Sequence, residues 1–393
     1  MAKFPDKIFD AAIVGGGPAG SSAAIRLAAA GLRVLLVEQK KFPRQKLCGE
    51  FISPECLVHF DELGVLQDIS AAGGVDLRET VFFARSGKGV AVKSEWFGQT
   101  GSFALGLSRA EMDARLLRHA LESGVDVREQ TTAAGLLFDE MRVSGVRLRD
   151  GDRIEKTIQA RVVIDATGRT RSLARRIDNP AGDKKRARHV AFKTHLRDAR
   201  VTASRCEIFA YRGGYGGCSR VENDLYNLCF IASAEDTLGR ACDPERVLRE
   251  VVFTNRRAAE TLQNATIADE WHAVAIERFG RGILVPAEGL LTIGDAAAFI
   301  DPFTGSGILL ALESSKIAAS AIAKSFSENA DFHSLAREYR RNYAVAFDQR
   351  LRVCSILRHA SFAPFLAEAT ISLLSLSGGL RRRIARATRF STG

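Results

Sequence analysis

Glycines with the spacing G-x-G-x-x-G lie near the start of the chain, at Gly15, Gly17 and Gly20. They follow an apolar stretch of strand character, residues 9–14, and lead into a segment rich in good helix formers that ends at Gly31. In such a unit the first glycine permits the tight turn, the second lets a pyrophosphate approach the backbone, and the third lets helix and strand pack closely. The spacing therefore predicts phosphate binding on the free N–H groups at the helix N-terminus.

A carboxylate follows at the distance that dinucleotide binding requires. Residues 32–37 predict a second buried strand, and Glu38 comes directly after it, about 20 residues beyond the glycines. In this position a carboxylate accepts hydrogen bonds from both hydroxyls of an adenosine ribose. We therefore predict a dinucleotide site, with Pro18, Ala19 and Gln39 among its contacts. The alternative is an Ala/Gly-rich tight turn between core elements.

The segment after Glu38 is a predicted loop that carries several cations. Pro43, Gly49 and Pro54 interrupt regular structure there. Arg44 and Lys46 are suited to contact a phosphate or the edge of a cofactor ring. A solvated basic loop is the alternative interpretation of the same residues.

Composition limits the classes of protein that need considering. The 393 residues suffice for two or three sub-domains, and 46% hydrophobic and 26% charged residues are typical of a globular protein. The seven cysteines are scattered without C-x-x-C spacing, so no metal site and no redox dithiol are predicted. The cysteine usage, the lack of room for a signal peptide and the lack of a bilayer-spanning apolar run together predict a cytoplasmic protein.

Part of the net charge of +10 is clustered, within residues 184–188 and 381–389. Such clusters suit nucleic acid, anionic lipid or an acidic carrier protein. Because no aromatic residues are interleaved with them, solvated surface is favoured and nucleic acid is not an expected partner. The oligomeric state is not predicted.

Further elements can be predicted along the chain. Ser108 and Glu111 form a capping box for a helix that reaches about Ser123. Other helices are expected over 55–70, from 307 to about 324, and from 332 onward. Strands are expected over 80–84, 89–93, 102–105, 125–128, 143–148, 161–165 and 289–293, and across 189–280, with a helical piece around 243–263.

Three motifs occur in a fixed order: the glycine pattern, the run Asp165-Ala166-Thr167-Gly168, and Gly294-Asp295 followed by a glycine loop. Together they resemble a flavoprotein superfamily that includes p-hydroxybenzoate hydroxylase-like monooxygenases, flavin-dependent halogenases and geranylgeranyl reductases. The resemblance covers residues 9 to about 325. It implies an α/β fold with a Rossmann-like, GR2-type FAD-binding domain, an inserted and mostly antiparallel β-sheet substrate domain, and C-terminal helices. The expected boundaries are 1–75, 104–178 and 280–325 for the FAD-binding domain, 76–103 and 179–279 for the substrate domain, and 326–393 for the helical region.

The resemblance also implies FAD as cofactor and assigns contacts to it. Asp295, after Gly294, is expected to hydrogen-bond the ribityl or pyrophosphate portion. Arg109 is expected near the isoalloxazine and ribityl chain, and the backbone of Val127 near adenine. The helix N-terminus after the glycine loop is expected to face the flavin pyrimidine edge, whose reduced form is anionic. The remaining expected contacts, carried by the loop after Glu38 and by the glycine loop, are Arg44, Lys46, Cys48, Gly49, Pro302, Gly305, Ser306, Gly307 and Ile308.

Departures from the superfamily's patterns narrow the chemistry. Thr167-Gly168 replaces the Asp-Gly that serves FAD and the nicotinamide donor in the hydroxylases, which weakens the expectation of tight NAD(P)H docking. The halogenase segment Trp-x-Trp-x-Ile-Pro is missing, since the two tryptophans are Trp96 and Trp271. The stretches 46–49 and 301–307 look most like the geranylgeranyl-reductase branch.

Three functions follow from the resemblance: oxygenation of an apolar or aromatic small molecule with O2 and reduced FAD, reduction of carbon–carbon double bonds, and a non-catalytic flavin-binding electron carrier. Oxygenation is preferred on the abundance of monooxygenases alone. Electrons are expected from transiently bound NAD(P)H or from another reduced flavin or protein. Cys48 is a candidate proton donor, although packing is favoured for it. The expected aromatic wall of the substrate site is Trp96, Phe97, Tyr211, Tyr215 and Tyr226.

The C-terminal region combines an apolar run, 366–376, with five arginines between 381 and 389. Such an arrangement suits an anionic membrane surface that delivers a lipid-like substrate. Packing of the apolar run on the FAD-binding domain, with solvated arginines, is the favoured alternative.

Overall fold

A computed structural model describes residues 8–98, 100–150, 154–178, 186–277, 279–299, 305–362 and 364–387. The glycine motif lies in a first sheet with the order β8-β2-β1-β11-β10-β9, and β19 pairs with β11. Its strands are β1 (Phe9–Val14), β2 (Val34–Val37), β8 (Asp126–Arg128), β9 (Thr131–Asp139), β10 (Arg142–Asp150), β11 (Ile154–Asp165) and β19 (Leu290–Thr292).

The parallel part of this sheet is β8-β2-β1-β11-β19. Its strands β1, β2 and β19 are buried on both faces, which explains their continuous apolar character. One face packs on helices, because Ala11 and Ile13 lie in one core cluster with helical side chains. The other face packs on the antiparallel ribbon β9-β10-β11, where Ala12 and Val14 meet Val146. The first unit is therefore three layers deep.

A second sheet has the order β16-β12-β15-β14-β13-β5-β6, with β17 paired to β12. All of its pairings are antiparallel except β13 with β5. Its strands are β5 (Glu79–Phe83), β6 (Gly89–Lys93), β12 (His189–Arg197), β13 (Arg205–Tyr211), β14 (Gly214–Arg220), β15 (Tyr226–Ser233), β16 (Thr266–Ile267) and β17 (His272–Ile276). Two small sheets are formed by β3 (Phe51–Ile52), β4 (Val75–Leu77) and β7 (Ala104–Gly106), and by β18 (Gly280–Arg281) and β20 (Ala298–Phe299).

Helices pack on one face of each large sheet, and the C-terminal helices described below add contacts on the other face of the second sheet. Those of the first unit are α1 (Pro18–Ala29), α2 (Pro54–Glu62), α3 (Leu66–Ser70), α4 (Arg109–Glu122), α5 (Arg175–Asp178) and α9 (Gly307–Ser327). Those beside the second sheet are α6 (Ala234–Leu238), α7 (Pro244–Glu250) and α8 (Arg256–Leu262). The capping box predicted for α4 is present, since the Ser108 side chain accepts a hydrogen bond from the Glu111 backbone N–H at 3.2 Å.

The chain continues as α10 (Phe332–Phe362), α11 (Pro364–Leu376) and α12 (Gly378–Ala387). We expected the apolar run of α11 to pack on the FAD-binding unit, but it lies against β6 and β13 of the second sheet. Ile371 is buried there with Ala84 and Val90. No helix in the described ranges is long and apolar enough to cross a membrane.

Candidate functional site

A cavity of about 690 Å³ runs between the two large sheets. One end is lined by Glu38, Gln39 and Thr132, and the other by β5, β6, α11 and α12. Most of the predicted contacts line its walls: Gly15, Gly17, Pro18, Ala19, Glu38, Gln39, Arg44, Lys46, Cys48, Gly49, Arg109, Asp295, Gly305, Gly307 and Ile308. Residues that the sequence places far apart are therefore gathered at one surface.

The glycine turn leaves the N-terminus of α1 open toward this cavity. Gly17 is the N-cap, and a Cβ atom built on it would find only the guanidinium groups of Arg109 and Arg44, both 3.8 Å away. Gly20 faces the opposite constraint, because its Cβ would come within 1.8 Å of the Gly15 carbonyl oxygen. The structure therefore leaves space at Gly17, and the missing Cβ at Gly20 permits helix–strand contact.

Glu38 is held at the end of β2 by backbone donors. The Gly16 N–H donates to Oε2 and the Lys40 N–H to Oε1, each at 2.9 Å. A carboxylate oxygen accepts more than one hydrogen bond, so Glu38 keeps capacity for ribose hydroxyls. Val127, whose backbone is expected near adenine, pairs with Leu36 in the sheet, and it is not among the residues that line the cavity.

Two arginines stand over the open helix N-terminus. Arg109 donates to the buried Asp113 through Nε at 2.8 Å and Nη2 at 2.7 Å. Burial alone would lower the pKa of Arg109, but Asp113 raises it above its ordinary value. Arg44 Nη1 lies 3.5 Å from Asp113 Oδ2, and Arg44 Nη2 lies 3.7 Å from Glu38 Oε2. The buried Nη1 has no hydrogen-bond partner in the described part of the chain. An anionic ligand in the cavity would supply that partner.

Asp295 is a buried carboxyl that interacts electrostatically with Arg109 and with two further cations, Lys46 and Arg169. Burial raises the pKa of its carboxyl, and Lys46, Arg109 and Arg169 limit the rise. The pKa of Lys46 is lowered by burial and by neighbouring Arg109, Arg44 and Arg169. A lysine crowded by arginines marks an excess of positive charge, which suits a pyrophosphate or an anionic ring.

The glycine loop ends at the N-terminus of α9. Ser306 is its buried N-cap, and Gly307 and Ile308 line the cavity with the first helical N–H groups. Gly294 packs against Ala19, since a Cβ there would meet the Ala19 Cβ at 2.8 Å, so it shapes the wall from behind. Pro302 lies outside the described residues.

The Asp165 side chain accepts hydrogen bonds from the loop that follows β11 and is not among the residues that line the cavity. Its Oδ1 accepts hydrogen bonds from the Thr167 N–H at 3.0 Å and the Thr167 hydroxyl at 2.6 Å. Its Oδ2 accepts from the Leu173 and Ala174 N–H groups at 3.0 and 2.8 Å. Thr167 and Gly168 in turn line the cavity. The aspartate of the middle motif therefore fixes the loop that follows β11.

The chain matches a family described as FAD binding domain over residues 9–347. It belongs to this FAD-binding family. The protein is an FAD-dependent oxidoreductase of the superfamily expected from the motifs.

Proteins similar to this chain include reductases. Menaquinone reductase of Mycolicibacterium smegmatis is 29% identical over 86% of this chain and 82% of its own length. Digeranylgeranylglycerophospholipid reductase of Methanosarcina acetivorans is 27% identical over 81% of this chain and 76% of its own length. The flavin-dependent brominase Bmp2 has the same fold, with a TM-score of 0.80 at 21% identity over 97% of this chain and 93% of that chain.

The residues present fit FAD. The open N-terminus at Gly17 and Arg44 Nη1, which has no hydrogen-bond partner in the described residues, suit its pyrophosphate, and Glu38 suits its ribose. Asp295 and the N-terminus of α9 would hold the ribityl and ring portion beside Cys48. The Glu50 backbone N–H donates to Cys48 Sγ at 3.4 Å, which fixes the thiol on the wall.

The substrate side of the cavity is apolar, but its predicted aromatic wall needs correction. Phe97 and Tyr215 line the cavity, whereas Trp96, Tyr211 and Tyr226 do not. Tyr211 is buried on the opposite face of the second sheet and donates to the Ile231 carbonyl at 3.0 Å. The apolar side chains that line this region are Phe82, Val90, Val92, Ile208, Ile231, Val274, Ile276 and Phe299.

Sequence reasoning missed a buried charged cluster at the junction of the two units. Glu50 lies against Lys193 and His195 of β12, and all three are at most 3% exposed at the side chain. A signal was available, because Lys193 and His195 alternate with the apolar Phe192 and Leu196 in a strand buried on both faces. Polar residues on an inward strand face need partners.

Proposed function

We propose that this protein reduces carbon–carbon double bonds in an apolar, chain-like substrate. The observation that carries the proposal is the apolar arm of the cavity, which extends from the region of Cys48 along β5 and β6 to α11 and α12. Two relatives whose names specify reduction, of a menaquinone and of a digeranylgeranyl lipid, support it. The abundance of monooxygenases, which favoured oxygenation at the outset, is a weaker reason than this shape.

The chain's residues supply binding and orientation. FAD, when bound, supplies the electron pair for the reduction. The apolar walls would exclude water and position the double bond for reduction, which is the contribution that proteins make to cofactor chemistry. Cys48 stays a candidate proton donor. Burial raises the pKa of Cys229, on the same wall, to about 12, with Cys48 adding to the rise, so that thiol stays protonated.

The reaction type is testable without oxygen. Holoenzyme reduced with dithionite under argon and mixed with a digeranylgeranyl lipid is expected to reoxidise, and the product to gain two hydrogen atoms per double bond. The fully saturated lipid is the control and should leave the flavin reduced. Reoxidation that requires O2 and inserts an oxygen atom into the product would establish oxygenation instead. If no unsaturated lipid or quinone reoxidises the flavin, a non-catalytic electron carrier remains as the function of the protein.

We also propose that the far end of the cavity docks on an anionic lipid surface. Ile371, Leu374 and Ile384 line the cavity there, while Leu373 of α11 is 57% exposed. Arg382, Arg383 and Arg386 of α12 are exposed beside it. An exposed apolar side chain next to a basic helix face is the arrangement that interfacial helices use.

Charge reversal tests the docking. The triple variant Arg382→Glu, Arg383→Glu and Arg386→Glu is expected to lose roughly 3 kcal/mol of vesicle binding, over a hundredfold in affinity, because each basic residue contributes about 1 kcal/mol at an anionic surface. Sedimentation with phosphatidylserine vesicles at low salt measures it.

The matched control reverses three exposed arginines on α7 and α8, Arg246, Arg249 and Arg256. It should pellet as the parent protein does. Equal pelleting of both triple variants, or parent protein that stays in the supernatant, would contradict lipid docking. The second result would leave an acidic carrier protein as the partner of the basic helix.

A further inference from the structure

The buried cluster at the junction of the two units forms a continuous chain of hydrogen-bonding groups. His195 Nε2 lies 2.7 Å from Glu50 Oε2, and His195 Nδ1 lies 3.3 Å from Asp269 Oδ2. Glu50 Oε1 accepts from Lys193 Nζ at 2.5 Å and from the Arg109 N–H at 2.9 Å. An imidazole thus stands between two carboxylates, and it is the side chain that can donate at one ring nitrogen and accept at the other.

The two ends of this chain reach different surroundings. The Asp269 side chain is 33% exposed, so it can exchange protons with solvent. At the other end Glu50 is among the residues that line the cavity, and its backbone N–H contacts Cys48 Sγ. The loop that carries Asp269 is pinned to β12, because Thr194 Oγ1 donates to the Asp269 carbonyl at 2.7 Å and the Ala268 N–H to the His195 carbonyl at 2.8 Å.

Glu50 has more partners than the neutralisation of its charge requires. Burial would raise the pKa of its carboxyl, but the hydrogen bond with His195 and the charge of Lys193 hold that pKa below its ordinary value. Lys193 alone would neutralise Glu50, and it also donates to Gln45 Oε1 and the Lys46 carbonyl. His195 and Asp269 form a second pair of acid–base groups, which connects Glu50 with the solvent-exposed surface. With a protonated His195 imidazole, the side chains of Glu50, Lys193, His195 and Asp269 carry no net charge. With a neutral imidazole they carry a single negative charge.

We infer that Asp269, His195 and Glu50 carry protons between solvent and the cavity. Inward, the His195 Nε2–H bond breaks as the Glu50 Oε2–H bond forms, and Nδ1 takes a proton from solvent by way of Asp269. Glu50 then releases its proton to the group being protonated in the cavity, and the outward direction reverses these steps. The inference rests on redox chemistry at this cavity and not on the choice between double-bond reduction and oxygenation, since both exchange protons with solvent.

The test follows protons and electrons separately in the holoenzyme. Reduced holoenzyme, freed of excess reductant under argon, is mixed with ferricyanide, which takes electrons and no protons. Flavin absorbance reports electron loss, and a pH-indicator dye reports the protons released. In the parent protein the two signals should coincide. In His195→Gln the proton signal should lag by at least tenfold, while the total number of protons released per flavin is unchanged.

His272→Gln is the matched control, because His272 lies opposite Lys193 on the neighbouring strand β17. It should behave as the parent protein. FAD content and the thermal midpoint of the full-length protein separate a structural role, which would change both, from a relay role. Asp269→Asn, at a partly exposed position, should give a smaller lag of the proton signal. It replaces His195→Gln as the test variant if His195→Gln binds FAD poorly. In His195→Ala, added imidazole should shorten the lag.

Proton release that keeps pace with electron loss in both His195→Gln and Asp269→Asn would overturn the relay. No substrate is present in this experiment. Failure of the proposed double-bond reduction therefore leaves its outcome unaffected.

Discussion

Gly17→Val is expected to abolish FAD binding while leaving the protein folded. Gly17 has an extended backbone conformation, with φ at −73°, that valine adopts without strain. Its Cβ would point into open space, with the nearest atoms 3.8 Å away on Arg109 and Arg44. That space is where the pyrophosphate must approach the N-terminus of α1. Losing those charge-assisted contacts should cost roughly 4 kcal/mol or more, about a thousandfold in affinity.

The measurement is the FAD content of purified protein, followed by titration of apoprotein with FAD. Gly17→Ala should bind FAD with intermediate affinity, because its methyl group intrudes less. Gly20→Ala provides the contrast, since its Cβ would clash with the Gly15 carbonyl oxygen at 1.8 Å and should impair folding itself. Stoichiometric FAD in Gly17→Val would show that the phosphates do not lie on this turn.

Asp165→Asn is expected to lower the free energy of unfolding by roughly 2–4 kcal/mol, although the two side chains have nearly the same shape. The four donors that converge on the carboxylate come from Thr167, Leu173 and Ala174. An amide keeps one acceptor oxygen and turns an NH2 group toward the other pair of donors, so buried donors lose their partners. Urea denaturation measures the change.

Asp139→Asn, at an exposed position near the end of β9, is the control and should change the unfolding free energy by less than about 0.5 kcal/mol. A second readout concerns the cofactor. Because Thr167 and Gly168 line the cavity, loosening their loop should also weaken FAD binding. Unfolding of Asp165→Asn at the parent protein's urea midpoint would show that these hydrogen bonds do not hold the loop.

Local patterns in the sequence were sufficient for the elements nearest the cofactor. The glycine spacing predicted β1, the turn and α1, and the Ser108–Glu111 pair predicted the start of α4. Both are determined by contacts between residues only a few positions apart. The strand predicted over 89–93 matches β6 for the same reason, since alternation of side chains is itself a local property.

Properties that depend on distant contacts were not predictable in the same way. In β13, Cys206, Ile208 and Ala210 face the cavity, while Phe209 and Tyr211 face away. Alternation alone does not tell which of the two faces meets the substrate, so Tyr211 was placed on the wrong side. Glu50 and Lys193 are 143 residues apart, and the motif aspartate Asp165 looks the same in sequence whether it contacts a ligand or the backbone.

The central strand of the first sheet has a consequence for synthesis on the ribosome. β11 pairs with β1 through Ile13 and Ile164, and with β19 through Ile164 and Leu291. The glycine turn therefore emerges long before β11 and β19, and contacts so distant in sequence form slowly. A further part of the cavity wall follows only with α9, which packs on α1 and begins at Gly307. A nascent chain that ends before α9 contains the glycine motif but not the complete cofactor site. The glycine turn by itself is therefore not a transferable FAD-binding module.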